Sequence, residues 1–113
     1  MPNTFQMNLH PEPFNLIKNR EKTIEMRLFD ERRKDIRVGD LISFTNNETK
    51  EELLVKVIEL KTYKTFYELY KHYEKSLLGY KKDEDANPDD MYKYYSEELI
   101  DKYGVLAIRI ELL

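Results

Sequence analysis

Polar and apolar residues alternate strictly across a short segment in the first third of the chain. The segment reads Thr23, Ile24, Glu25, Met26, Arg27 and Leu28. A period of two residues is typical of a β-strand, whose successive side chains point to opposite faces. We therefore predict a strand with one apolar face and one charged face.

The charged face of this strand restricts how the rest of the chain can pack. On an open sheet, Glu25 and Arg27 would form a surface ion pair of little energetic value. Under a covering layer they would have to be paired, because an unpaired buried charge is costly. We expect helices from the C-terminal part of the chain to cover this face, which places Glu25 and Arg27 in a cleft.

The other elements follow from similar patterns. Strands are predicted over 5–9, 41–45, 53–63 and 105–113, and helices from Pro13, over 66–75, from Pro88 and between Ser96 and Gly104. Asn19 is expected to end the first helix in the left-handed conformation. Thr65 and Glu68 have the spacing of a capping box. Lys56 and Glu59 interrupt the alternation of the longest strand, which predicts a bend there.

This order of elements favours an α+β fold. The pattern lacks the repeated βαβ units of a parallel sheet, so we predict a small, mostly antiparallel β-barrel with helices covering one opening. A length of 113 residues supports one hydrophobic core, and a single domain is expected over 1–113.

Composition excludes several classes of protein. The chain has no cysteine, which excludes disulfides and thiolate metal sites. It has no run of 18 apolar residues, so no membrane association is expected. The first residues lack the basic start and apolar core of a signal peptide, and we expect a cytoplasmic protein.

Charge is distributed unevenly along the chain. The net charge is -3, which argues against a protein whose whole surface binds nucleic acid. Between Lys18 and Arg37, however, 8 Lys or Arg residues face 5 Asp or Glu residues. The basic excess therefore coincides with the alternating segment.

Metal and cofactor sites are not expected. Asp83, Asp85 and Asn87 have the spacing of a calcium loop, but Pro88 replaces the required glycine and Tyr94 the bidentate glutamate. The two histidines are 62 positions apart, and the three isolated glycines cannot form a phosphate-binding loop.

Tyrosines are a better indication of function. Four of the nine cluster near the end of the chain: Tyr92, Tyr94, Tyr95 and Tyr103. A tyrosine offers a ring for stacking and a hydroxyl for hydrogen bonding, which suits a pocket for a base. Packing between helix and barrel is the alternative for Tyr95 and Tyr103.

The alternating segment also carries a family resemblance. Lys22, Glu25 and Arg27 match the signature Gly-x-Lys-x-x-Glu-x-Arg, with Arg20 in the glycine position. Further similar segments are "PFNLIKN", "RLFDERR", "VGDLISF", "TFYELY" and "DMYKYYSEELIDKYGVLAIRI". Together they resemble a bacterial, small single-domain subgroup of the ASCH domain family, within the PUA-like superfamily.

This resemblance implies a PUA-like β-barrel with a cleft lined by the signature residues. It also implies binding of RNA, a nucleotide or a modified nucleoside. In that case Lys22 and Arg27 would contact phosphates or base acceptors, and Glu25 would accept from a base amine or orient Arg27. Tyr94 or Tyr95 would stack on the base.

Two other functions stay open at this stage. Some family members remove the acetyl group from N-acetylated cytidine, using Lys, a Thr three residues later and a more distant Glu. An amidohydrolase of this kind would use Lys22, Thr23 and Glu25, with Glu74, Glu84 or Asp90 as a further acid. Strand geometry separates Lys22 from Thr23 unless the turn after Asn19 twists Lys22 inward. The third possibility is a protein-interaction domain, so the sequence does not decide whether the chain is an enzyme.

Overall fold

The computed structural model describes all 113 residues, which form five strands, four α-helices and a 3-10 helix. The strands are β1 Thr4–Leu9, β2 Ile24–Leu28, β3 Leu41–Asn46, β4 Glu52–Tyr63 and β5 Val105–Leu112. The helices are α1 Pro11–Lys18, α2 Phe66–Lys71, α3 Lys75–Leu78, the 3-10 helix Pro88–Lys93 and α4 Glu97–Tyr103. None of the helices has the length and apolar character needed to cross a membrane.

All five strands form one sheet in the order β1-β3-β4-β5-β2. β1 pairs with β3 in parallel, and the other three pairings are antiparallel. The sheet curls into a half-barrel, which confirms the predicted α+β class and the mostly antiparallel barrel. β1 and β2 are its two edges. The predicted bend in β4 is present as a register shift between Val57 and Glu59.

The two faces of β2 belong to different layers of the protein. Glu25 and Arg27 lie opposite Ile108 and Leu106 of β5, and directly opposed residues share a face. That face carries the barrel core, which also includes Phe14 of α1. The C-terminal segment reaches the charged residues only at the edge of the sheet, where Tyr95 interacts with Arg27.

The C-terminal helices pack on the apolar face of β2. The second core cluster joins three residues of this strand to the C-terminal helices: Ile24, Met26, Leu28, Phe66, Leu69, Leu78, Met91 and Ile100. Packing on this face buries apolar side chains without desolvating charges, which is favourable. Glu25 on the other face is nevertheless only 3% exposed, and residues of α1 and of the segment before α4 line the cavity beside it.

Two helix boundaries differ from the sequence prediction. The helix predicted over 66–75 ends at Lys71, and α3 is a separate turn. Tyr73 between them packs edge-to-face on Tyr63 of β4, with the two hydroxyls 3.2 Å apart. This tertiary contact takes Tyr73 out of the helical register.

The first helix begins earlier than predicted and ends differently. It starts at Pro11 rather than Pro13, and Asn19 has an ordinary φ of -86°. The left-handed residue is Arg20, with a φ of 64°. This is the position where the family signature has glycine, whose lack of a Cβ removes the strain that Arg20 carries.

Candidate ligand-binding site

A cavity of about 390 Å³ lies beside β2. One part of its wall comes from the end of β1 and the start of α1, and another from the segment between Leu78 and Tyr95. Lys22, Glu25 and Arg27 line it as well. The volume is within the range of small-molecule sites in proteins.

Glu25 holds the charged residues of this cavity together. It is only 3% exposed. Its Oε1 lies 3.1 Å from Lys22 Nζ and accepts from the Met26 amide at 3.2 Å. Its Oε2 accepts from Arg27 Nε at 3.1 Å and from Arg27 Nη2 at 2.9 Å. A carboxylate has about four acceptor positions, so the protein already uses the full capacity of Glu25.

The two cations determine the ionisation of this carboxylate. Burial acts to raise the pKa of Glu25, but the charges and hydrogen bonds of Lys22 and Arg27 outweigh it and lower the pKa from 4.5 to about 2. Burial likewise acts to lower the pKa of Arg27, whereas Glu25 and the nearby Tyr95 raise it above its ordinary value. Glu25 and Arg27 are therefore both charged at neutral pH.

The turn after α1 brings Lys22 into the cluster. The Lys22 amide, two residues after the left-handed Arg20, donates to the Leu16 carbonyl at 3.0 Å. Its side chain then passes over Gly79, where an added Cβ would lie 3.1 Å from Lys22 Cδ. Lys22 is thus twisted inward, as its cooperation with the rest of the motif requires.

Arg27 connects the two edges of the half-barrel. Its Nη2 donates to the Asn8 carbonyl at 3.0 Å, near the end of β1. No backbone pairing joins β1 to β2. In a closed barrel, backbone hydrogen bonds would join these two edge strands. Here a side-chain hydrogen bond from Arg27 joins them instead.

Four tyrosines line the cavity: Tyr70, Tyr80, Tyr94 and Tyr95. Tyr95 stacks on Phe66, with ring centroids 6.0 Å apart and planes inclined by 15°. Tyr94 is exposed, and its ring lies 6.1 Å from that of His10. One tyrosine of the predicted pair thus packs against the core, while the other is exposed at the cavity.

The structure groups five of the predicted site residues around one cavity: Lys22, Glu25, Arg27, Tyr94 and Tyr95. Thr23 does not line it. Its buried Oγ1 has no hydrogen-bond partner, and its backbone bonds to Leu77 and Ile110. Of the three further acids considered, Glu84 and Asp90 line the cavity, whereas Glu74 precedes α3 and does not.

Sequence reasoning missed Tyr70, Tyr80 and Asn8. Tyr70 fits the helical spacing of α2, which favours a packing role, and Tyr80 lies in a polar loop. Asn8 contributes only a backbone carbonyl, which no sequence pattern marks. No group of three or more His, Asp or Glu side chains is placed to hold a metal ion.

Comparison with known proteins decides the family. A model described as the ASCH domain matches residues 7–113. The chain belongs to the ASCH domain family. None of the curated proteins is significantly similar to it in sequence.

Solved structures agree with this family and fold. The crystal structure of hypothetical protein PH0355 is 33% identical, with a TM-score of 0.82 over 97% of this chain and 99% of that one. The solution NMR structure of protein PF0455 from Pyrococcus furiosus is 35% identical, with a TM-score of 0.75 over 97% of each chain. The S128A mutant of ZmASCH from Zymomonas mobilis shares the fold at 13% identity, with a TM-score of 0.71 over 98% of this chain and 70% of that one.

The cavity of this ASCH domain has nearly balanced charge. Three cations line it, Lys22, Arg27 and Lys93. Four acids also line it: Glu12, Glu25, Glu84 and Asp90. The formal charge of the lining is therefore -1, which favours an uncharged ligand group over a phosphate.

Proposed function

We propose that this ASCH domain binds a nucleobase in the cavity beside β2, as a nucleoside or as a nucleotide of single-stranded RNA. ASCH domains as a family are thought to bind RNA. Sequence-specific recognition of RNA usually targets unpaired bases, which are stacked on aromatic side chains and hydrogen-bonded along their edges. The cavity offers both kinds of group.

One observation carries this proposal: the buried carboxylate of Glu25 holds two cations beside the cavity, and Lys22 keeps N–H groups that no protein group accepts. Lys22 Nζ has three N–H groups and one partner, Glu25. Arg27 uses its Nε and Nη2 groups on Glu25 and Asn8, and its guanidinium also interacts with Tyr95. These preorganised donors suit the carbonyl and ring-nitrogen acceptors of a base, and Glu25 acts by orienting them.

The tyrosines supply the second part of the recognition. Tyr95 is held against Phe66 near Arg27, and Tyr94 stands exposed at the cavity. Stacking of a base on an aromatic ring contributes about 1–3 kcal/mol. The amidohydrolase alternative gains no support from this arrangement, because Thr23 lies outside the cavity and Lys22 is paired with Glu25.

Titration calorimetry at low ionic strength tests the proposal, with nucleosides and short single-stranded RNA as ligands. Lys22→Met keeps the apolar stem of the side chain and removes its donors, and we expect it to weaken binding about tenfold or more. Lys18→Met is the matched control, because Lys18 pairs with Glu51 on the surface and does not line the cavity. Absence of binding to nucleosides and RNA alike, or equal binding by both variants, would contradict the proposal.

A further inference from the structure

Hydrogen bonds connect the side chains of Tyr70, Tyr80 and Asp90 along one side of the cavity. The hydroxyls of Tyr70 and Tyr80 are 2.9 Å apart, and the Tyr80 hydroxyl donates to Asp90 Oδ2 at 2.8 Å. The Asn87 carbonyl lies farther from the Tyr80 hydroxyl, at 3.3 Å. All three of these hydrogen-bonded residues line the cavity.

The direction of this chain follows from counting protons. A tyrosine hydroxyl has one proton to donate. Because Tyr80 gives its proton to the Asp90 carboxylate, its oxygen must accept the proton of Tyr70. The Tyr70 oxygen is then left as an acceptor only, and Asp90 Oδ1 receives no hydrogen bond from the protein. Burial raises the pKa of Tyr70 and of Tyr80, so both hydroxyls keep their protons at neutral pH.

The opposite chemistry is found around Glu25. Its carboxylate has no acceptor position left, and Lys22 and Arg27 can only donate. The groups bonded around Glu25 thus differ from those around Tyr80: the donors Lys22 and Arg27 stand beside β2, and the acceptor oxygens of Tyr70 and Asp90 stand on the segment from 70 to 90. The acid on the α1 side of the cavity, Glu12, is exposed. Of the cations, only the exposed Lys93 comes from the C-terminal part of the lining.

We propose that this separation selects a base with acceptors along one edge and an exocyclic amine on another. Tyr70 and Asp90 are then specificity-determining residues that accept from the amine, and Tyr80 is a positioning residue that orients the Tyr70 hydroxyl. A carbonyl in place of the amine would place an acceptor oxygen against the acceptor oxygens of Tyr70 and Asp90 with no proton between them, which is unfavourable in a partly buried site. The inference rests on the proposed function and adds the class of base.

Two nucleoside pairs test it, because uridine has a carbonyl and a ring N–H where cytidine has an amine and a ring-nitrogen acceptor, and inosine differs from adenosine in the same way. For the wild type we expect calorimetry to give about tenfold or greater preference for the amine member of each pair. Tyr80→Phe frees the Tyr70 proton to turn towards the ligand, so the preference should fall to within about threefold. Tyr92→Phe is the control, since Tyr92 does not line this cavity, and it should leave the preference unchanged.

The outcomes separate this inference from the proposed function. Equal affinity within both pairs, or preference for the carbonyl members, would overturn the inference and leave nucleoside binding intact. Asp90→Asn is a second variant that replaces an acceptor oxygen by a donor, and an unchanged preference in both Tyr80→Phe and Asp90→Asn would also overturn it. Failure of all four nucleosides and of RNA to bind would overturn the proposed function, and the inference with it.

Discussion

Among single residues, Glu25 links the stability of the protein to pH. Its pKa of about 2 in the folded protein is below the ordinary value of 4.5, because the attraction of Lys22 and Arg27 exceeds the effect of burial. A lowered carboxyl pKa contributes stability above the unfolded pKa, and that contribution is lost as the pH falls towards the folded pKa. A shift of this size corresponds to about 3 kcal/mol.

We therefore expect the free energy of unfolding to fall as the pH is lowered from about 5 towards 2. Glu25→Gln should cost about 3–5 kcal/mol at neutral pH, because it leaves Lys22 and Arg27 buried without a carboxylate. In acid the variant and the wild type should become similar, since Glu25 is then protonated. Urea unfolding at several pH values measures both effects.

Glu51→Gln is the control for this experiment. Glu51 pairs with Lys18 on the surface, with both side chains almost half exposed, so its replacement should cost less than about 1 kcal/mol at any pH. A difference between wild type and Glu25→Gln that stays constant from neutral to acid pH would contradict the role assigned to Glu25.

Among secondary-structure elements, the packing of α3 against β2 shapes the cavity. The Thr23 amide bonds to the Leu77 carbonyl of α3 at 3.1 Å, so the end of α3 lies directly beside the start of β2. Gly79 follows with a φ of 105° and leaves room for the Lys22 side chain. A side chain at this position would meet both a strained backbone and Lys22.

Gly79→Ala separates these two effects when it is compared with Gly39→Ala. Gly39 has a similar φ of 98°, but a Cβ added there meets nothing within 4 Å. We expect both variants to lose about 1–2 kcal/mol of stability from backbone strain. Only Gly79→Ala should also weaken nucleoside binding, because it displaces Lys22. Thermal unfolding and calorimetry measure the two quantities, and equal affinity in both variants would refute the link between α3 and Lys22.

For the protein as one body, charge limits how it can hold a nucleic acid. The chain has a net charge of -3, and the residues that line the cavity sum to -1. Proteins that grip the phosphate backbone release counterions on binding, which makes their affinity fall steeply with salt. This ASCH domain has no such excess of cations around its cavity.

We accordingly expect a shallow salt dependence for nucleosides and for short single-stranded RNA. The slope of log affinity against log salt should be smaller in magnitude than about 1, whereas each phosphate contact on a single strand adds about 0.7. Calorimetry over a range of salt concentrations gives the slope. A slope several times steeper for RNA than for the nucleosides would show that phosphates, bound outside the cavity, dominate RNA binding.

Local patterns in the sequence were sufficient for most elements. The alternation around Glu25 predicts β2, and Ser96 and Gly104 mark the two ends of α4. The irregular spacing of Lys56 and Glu59 predicts the bend in β4. Each depends on interactions between residues close in the chain, such as the Ser96 hydroxyl accepting from the Leu99 amide at 3.2 Å. The same segment around Glu25 also carries the resemblance from which the sequence predicts the ASCH family, and the match over residues 7–113 shows that family.

Contacts between distant parts of the chain decided the rest. The sequence does not predict that the C-terminal helices pack on the apolar face of β2. It also does not predict that Tyr73 lies outside the helix and contacts Tyr63. The bond from Arg27 to Asn8 and the chain from Tyr70 through Tyr80 to Asp90 join residues 10 or more positions apart. The alternation in the sequence indicates that β2 has one charged face and one apolar face. Which of these faces contacts the helices depends on how much apolar area each arrangement buries, and this is decided only by the curling and packing of the sheet.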